Sequence, residues 1–320
     1  TPFMSEGDIL GHEVMGIVEE VGPAAREHIR PGDRVVIPFN ISCGRCWMCQ
    51  RQQYAQCETT QNRQQGKGGA LFGYTELYGH VDGGQAEYLR VPQDHFGPIK
   101  VPEGPPDDRF VYLSDILPTA WQAVVFADIP ERGSLAVFGL GPVGQFCVRV
   151  ARQLGAERVF GIDRVPERLA MARRAGADTI DANEVDDVPA LLREYTDGRG
   201  PDSVIDAVGM EAHGGQIARV GQEVASRLPD RLAKPAAERF GVDRLTVLLD
   251  CIEAVRRGGT VSITGVYGGA LDPLPMVEMF DKGITLRMGQ CHVRRWVDDI
   301  LPLLRHDTDP LGTSDLASHY

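Results

Sequence analysis

The chain has 320 residues, 42% of them hydrophobic and 24% charged, with a formal net charge of -12. This acidic balance argues against a nucleic-acid or anionic-membrane surface, and the adjacent basic pairs Arg173-Arg174, Arg256-Arg257 and Arg294-Arg295 lie far apart and read as solvated faces. No apolar run approaches the roughly 18 residues of a membrane span, and the length suggests two domains, each able to bury a core.

The first third carries short strand-like runs, Val14-Met15-Gly16-Ile17-Val18, Arg34-Val35-Val36-Ile37-Pro38 and Ala86-Glu87-Tyr88-Leu89-Arg90-Val91. Broken by Gly and Pro, they predict an all-β barrel or half-barrel. Within this region Cys43, Cys46, Cys49 and Cys57 follow a C-x2-C-x2-C-x7-C spacing. Four soft thiolates on one short loop suit tetrahedral zinc; such a closed site leaves no position for substrate and braces a lobe. Cys147, Cys251 and Cys291 are scattered in apolar segments, a distribution that fits a reducing compartment and predicts a cytoplasmic protein.

From Ser114 strand and helix alternate, starting with a helix that Pro118 opens. Strands are expected at 135–138, 158–162, 203–206 and 260–263, with helices between them, a pattern that predicts a parallel sheet. Gly139-Leu140-Gly141-Pro142-Val143-Gly144 follows the first of these strands and opens a helix with an apolar stripe of Val143, Cys147, Val150 and Leu154. Glycines there allow the tight turn and the approach of a pyrophosphate, which the helix N-terminus stabilises. Asp163 ends the next strand, 19 residues after Gly144, where a carboxylate can accept the ribose hydroxyls and repels a 2′-phosphate. This favours NAD over NADP, although the adjacent Arg164 pulls the other way. A polar and amphipathic stretch over residues 213–243 is longer than an ordinary connection and precedes a helix expected at 245–257.

A catalytic metal needs mixed ligands and an open position, and His12-Glu13 and Asp115 are the candidates. Taken alone, His12 beside Glu13 reads as a surface pair and Asp115 as a helix cap.

Gly11-His12-Glu13 with Gly16 and Gly22, the cysteine loop, Gly83-Gly84-Gln85-Ala86-Glu87-Tyr88, Leu113-Ser114-Asp115-Ile116-Leu117-Pro118-Thr119, the Gly139 loop and Asp206-Ala207-Val208-Gly209 occur in that order. Together they resemble the zinc-containing medium-chain alcohol dehydrogenase family over essentially the whole chain. Asp115 and the insertion after Gly209 are most similar to its glutathione-independent formaldehyde dehydrogenase branch. The resemblance implies an α/β protein with a GroES-like β-rich catalytic domain over residues 1–116. A Rossmann doubly wound coenzyme domain would occupy 117–293, with a return to the first domain at 294–320. It implies a catalytic zinc on His12 and Asp115, with Glu13 able to ligate transiently, beside the structural zinc.

It also implies NAD contacts at Val143, Asp163, Arg168, Val208, Thr264, Val266, Gly289 and Cys291, mostly through backbone groups, and at His213 near the cofactor. His28, His80, His95, His292, His306 and His319 are expected at the surface. The family's first catalytic zinc ligand is a Cys in an upstream Cys-Gly-Ser/Thr-Asp motif, which residues 1–11 lack. The expectation is therefore a fragment short at both ends and one ligand short.

The implied activity is hydride transfer between NAD and a small alcohol or aldehyde hydrate, by a homo-oligomer (tetramer or dimer). The alternatives are a polyol or threonine dehydrogenase on the same scaffold, or a non-catalytic nucleotide-binding zinc protein.

Overall fold

The computed structural model describes residues 3–23, 25, 27–209, 245–267 and 274–319. The chain divides into two units, Thr1–Gln122 with Gln290–Tyr320, and Ala123–Gly289. In the first, β1 (Val14–Ile17) pairs antiparallel with β2 (Arg34–Ile37), Val14 opposite Ile37, and β3 (Ile99–Lys100) completes a three-stranded sheet. Val35, Ile37, Ile41, Ala70, Phe72 and Ile29 form its core, with Val14, Val81, Leu89 and Val91 packed around them. The stretch 86–91, expected as a strand, forms no ladder. Leu89 and Val91 supply apolar contacts to this core without backbone pairing, so the alternation reports burial alone.

α1 (Ile116–Ala127) starts two residues before Pro118, a position where the ring removes an N–H that has no partner in the first turn anyway. In the second unit β4 (Ser134–Phe138), β5 (Arg158–Asp163), β6 (Asp178–Asp181), β7 (Ser203–Asp206), β8 (Thr260–Ile263) and β9 (Thr285–Met288) form one parallel sheet in the order β6-β5-β4-β7-β8-β9. That order reverses between β4 and β7, the topological switch point of a doubly wound dinucleotide fold.

Helices α2 (Pro142–Gln153), α3 (Pro166–Arg174), α4 (Val188–Glu194), α5 (Thr246–Ala254) and α6 (Met276–Lys282) accompany the strands. Ala136, Phe138, Phe160, Ile162, Val204 and Val261 pack with Leu192 of α4 and with Leu248, Cys251 and Ile252 of α5. Each fully buried large side chain of this kind contributes about 1.5–3 kcal/mol.

Strands β6 and β9 were not expected from the sequence. Thr285–Met288 is exposed along its length, so it lacks the buried alternation that marks a strand. Leu154 lies just past α2 and is 48% exposed, which shortens the apolar stripe to Val143, Cys147 and Val150. α5 stops at Ala254, leaving Arg256 free to bind the Asp202 carboxylate at 2.6 Å.

In the first unit α7 (Val293–Leu304) buries Val293, Trp296, Val297, Ile300 and Leu304 on one face, and α8 (Thr313–Ala317) follows. Arg294 lies over the Phe96 ring, 5.0 Å from its centroid. Neither Arg256 nor Arg294 is therefore a freely solvated charge, as their sequence positions had suggested.

Candidate functional site

Cys43, Cys46, Cys49 and Cys57 place their sulfurs within 4.8 Å of one another, close enough to share one ion. Short 3-10 turns at Cys49–Arg51 and Tyr54–Gln56 fold the loop back on itself. Gly44 makes this possible: its φ is +71°, and a Cβ there would meet the Phe96 ring at 2.5 Å. The Cys43 amide donates to the Cys57 sulfur, the Cys46 amide to Cys43 and the Glu58 amide to Cys46, each at 3.4 Å. The Thr59 hydroxyl adds a bond to Cys43 at 3.1 Å.

Burial raises the Cys43 thiol, but the Thr59 hydroxyl and the Arg45 and Cys46 amides outweigh it and bring its pKa down to about 6. Amides and hydroxyls aimed at sulfur stabilise thiolates, the form that binds metal. The all-sulfur donor set therefore fits zinc, and with four ligands supplied by the protein it is closed to substrate.

Two of the histidines expected at the surface support this lobe instead. His292 Nδ1 accepts the Ala55 amide at 3.2 Å, and His95 Nε2 donates to the Cys43 carbonyl at 3.1 Å. Lone histidines carry no sequence signal for such backbone contacts, which long-range packing alone creates.

The second cluster joins His12, Glu13 and Asp115, whose ligand atoms also lie within 4.8 Å of one another. His12 Nε2 stands 3.1 Å from Asp115 Oδ2. The hydrogen bond to Asp115 raises the His12 pKa against its burial. The segment before His12 is fixed by amides of Gly83, Gly84 and Gln85 donating to the carbonyls of Ile9, Gly11 and Leu10 at 2.8–2.9 Å. A Cβ at Gly83 would come within 2.3 Å of the Gly11 carbonyl, which explains the glycine pair of that motif.

Asp115 sits at the start of α1, and its Oδ1 accepts the Thr119 hydroxyl at 2.8 Å. Tyr74 and Phe39 flank the His12 ring, at 5.7 and 6.1 Å between centroids. Tyr74 and Phe39 escaped the sequence reading, as did the contact that Thr119 makes; Thr119 lies one turn beyond Asp115, a spacing that could have revealed it. Nitrogen and carboxylate donors with an exposed Glu13 suit an open zinc site.

In the second unit Gly139 (φ +87°) turns the chain from β4 into α2, and a Cβ on Gly144 would lie 1.8 Å from the Gly139 carbonyl. Asp163 closes this loop. Its Oδ2 accepts the Leu140 amide at 2.6 Å, its Oδ1 accepts the Arg164 and Val165 amides at 2.7 and 2.9 Å, and Arg168 Nη1 stands 3.8 Å away. The carboxylate, 8% exposed, thus orders the Gly139 loop.

Gly139, Gly141, Val143, Gly144, Asp163 and Arg168 come together around the ends of β4 and β5, and Val208, Thr264 and Val266 around those of β7 and β8. Gly289 closes the second unit just after β9, whereas Cys291 belongs to the first unit, buried, with its carbonyl accepting the Asn40 amide. His213 lies outside the described residues.

Residues 2–103 match the alcohol dehydrogenase GroES-like domain family and residues 142–222 the zinc-binding dehydrogenase family. The zinc-type alcohol dehydrogenase-like protein AdhB of Bacillus subtilis is 36% identical over 99% of this chain and 80% of its own length. A glutathione-independent formaldehyde dehydrogenase of Pseudomonas aeruginosa is 34% identical over 83% of this chain and 67% of its own. The structure of the alcohol dehydrogenase from Thermus sp. ATN1 superposes with a TM-score of 0.75, at 34% identity, covering 93% of this chain and 73% of that one. Fold, thiolate cluster and these likenesses agree: the chain belongs to the zinc-containing medium-chain alcohol dehydrogenase family.

Proposed function

We propose that this zinc-dependent alcohol dehydrogenase-type oxidoreductase moves hydride between NAD and a small alcohol or the hydrate of a small aldehyde such as formaldehyde. The observation that carries the proposal is the cluster of His12, Glu13 and Asp115, a donor set with an exposed member, in a chain that also holds a dinucleotide loop. When bound, zinc supplies Lewis acidity toward a substrate hydroxyl and nicotinamide supplies the hydride acceptor.

His12 and Asp115 would hold the metal, and Thr119 fixes the Asp115 carboxylate. Glu13 stands within ligand reach at the exposed side. Tyr74 and Phe39 give the His12 surroundings an aromatic wall that suits a small substrate. Asp163 favours NAD, because its carboxylate repels a 2′-phosphate. The likeness to glutathione-independent formaldehyde dehydrogenase supports the aldehyde-hydrate reading.

The reading extends to a homo-oligomer. β9 is an edge strand exposed at all four residues, flanked on α6 by Met276, Val277 and Phe280 at 62%, 84% and 89% exposure. An unpaired edge beside an apolar patch is a pairing surface. No single helix among the described residues is long and apolar enough to cross a membrane. The gathering of four of the seven cysteines in one metal-type cluster supports a reducing compartment such as the cytoplasm.

The test is NAD reduction by the zinc-loaded chain with formaldehyde, short alcohols, a polyol and threonine, together with a zinc count. Turnover restricted to the polyol or to threonine would move the assignment to that substrate class. No turnover with any of them, and a single zinc per chain, would overturn the catalytic reading in favour of a nucleotide-binding zinc protein.

A further inference from the structure

The sheet order reverses at β4 and β7, so a dinucleotide lies across the strand ends there with one half on either side. The Gly139 loop and Asp163 occupy the β4–β5 side and suit the adenosine half. The loops after β7 and β8, which carry Val208, Thr264 and Val266, are left for the other half.

These two loops are pressed together backbone to backbone. A Cβ on Gly265 would lie 2.3 Å from the Gly209 amide nitrogen, and one on Gly209 would lie 2.5 Å from that of Val266. Asp206, 0% exposed, binds both loops. Its Oδ1 accepts the Val208 and Gly209 amides at 3.0 and 3.2 Å. Its carbonyl accepts the Thr264 and Gly265 amides at 3.0 and 2.9 Å. Its Oδ2 accepts the hydroxyl of Tyr267, four residues beyond the end of β8.

The Thr264 bond to the Asp206 carbonyl belongs to the β7–β8 ladder, which pairs Asp206 with Ile263; the side-chain bonds of Asp206 are additional to the sheet. What they order lies beyond the strands, where Val266 is 71% exposed. A buried carboxylate is tolerated when each oxygen has a donor, and Tyr267 is the donor that spans the two loops. Burial, and then the Asp206 charge, raise the Tyr267 pKa, so its hydroxyl keeps the proton it donates.

We infer that Asp206 and Tyr267 are a positioning pair that holds the loops after β7 and β8 in the arrangement that receives the nicotinamide half of the cofactor. The inference rests on the dehydrogenase reading above.

Calorimetric titration of the zinc-loaded chain with NAD, and separately with AMP, tests it in the wild type, Tyr267→Phe and Asp206→Asn. AMP reports the adenosine half alone. Loss of one hydrogen bond to a charged group is expected to weaken NAD binding by about tenfold in Tyr267→Phe, with AMP binding unchanged. Asp206→Asn, which keeps one acceptor oxygen for the amides, is expected to show the same split, and it decides the matter by the same criterion if Tyr267→Phe does not fold. Unchanged NAD affinity in the variants, or equal weakening of NAD and AMP, would overturn the inference while leaving the dehydrogenase reading in place. A wild-type chain that fails to bind NAD would overturn both.

Discussion

Replacing Cys57 by Ala is expected to weaken zinc binding by the four-cysteine lobe while the parallel sheet of the second unit stays folded. The Cys57 sulfur is fully buried and accepts the Cys43 amide. The apolar cluster of the lobe consists of Cys43, Cys49 and Cys57 with Cys46 and Tyr54 packed against them, so the metal takes the place of a hydrophobic core. A structural zinc contributes about 10–16 kcal/mol, or about 2.5–4 kcal/mol for each of four thiolates. That corresponds to an affinity about a hundredfold to a thousandfold weaker in Cys57→Ala. Thr59→Val removes only the hydroxyl that faces the Cys43 sulfur, and a loss of about tenfold to a hundredfold is expected, the range for groups that orient a ligand. Competition with a chromophoric chelator measures both, and limited proteolysis within residues 43–69 reports opening of the lobe. Zinc retention in Cys57→Ala equal to that of the wild type would refute the ligand assignment. Equal losses in the two variants would refute the distinction between ligand and supporting donor.

Three further outcomes follow from the same structure. Burial, and then Arg295, lower the His292 pKa from 6.5 to about 4, so the unfolded chain takes up the proton first. Stability from His292 is complete above pH 6.5 and is lost as the pH falls toward 4. Denaturant midpoints across that window should fall in the wild type and fall less in His292→Asn; parallel slopes would rule this out. Phe280→Asp should lower the solution mass seen by light scattering, and an unchanged oligomer would exclude the β9–α6 face as the pairing surface. Asp309 accepts the Thr313 and Ser314 amides at 3.1 and 2.9 Å at the start of α8, so Asp309→Ala should cost about 0.5–2 kcal/mol in chemical unfolding, the range for a lost cap.

The metal lobe and the dinucleotide loop were legible in the sequence because their chemistry is local. Thiolates that share an ion must lie close along the chain or be folded together, and here four of them fall between 43 and 57. Gly144 is dictated by a backbone atom of Gly139, five residues away. The strands with buried alternation or continuous apolar runs were equally readable, whereas β9 was not, because an exposed edge strand carries no core-facing pattern. His12 and Asp115 are separated by more than a hundred residues, and residue chemistry alone ranked each as an ordinary surface or capping group. Their 3.1 Å approach is a product of the fold.

The contacts made by His292, Thr119 and the Asp206–Tyr267 pair were decided by tertiary structure in the same way. Hydrogen bonds between residues distant along the chain leave no spacing to read, and a histidine, threonine or tyrosine gains a role only when packing delivers its partner. The sequence by itself thus determined the fold class, the cluster of four cysteines and the glycine turn between β4 and α2, where short-range backbone geometry dictates the residue types. Tertiary structure alone decided which scattered polar side chains meet, because long-range burial sets their partners and their charge.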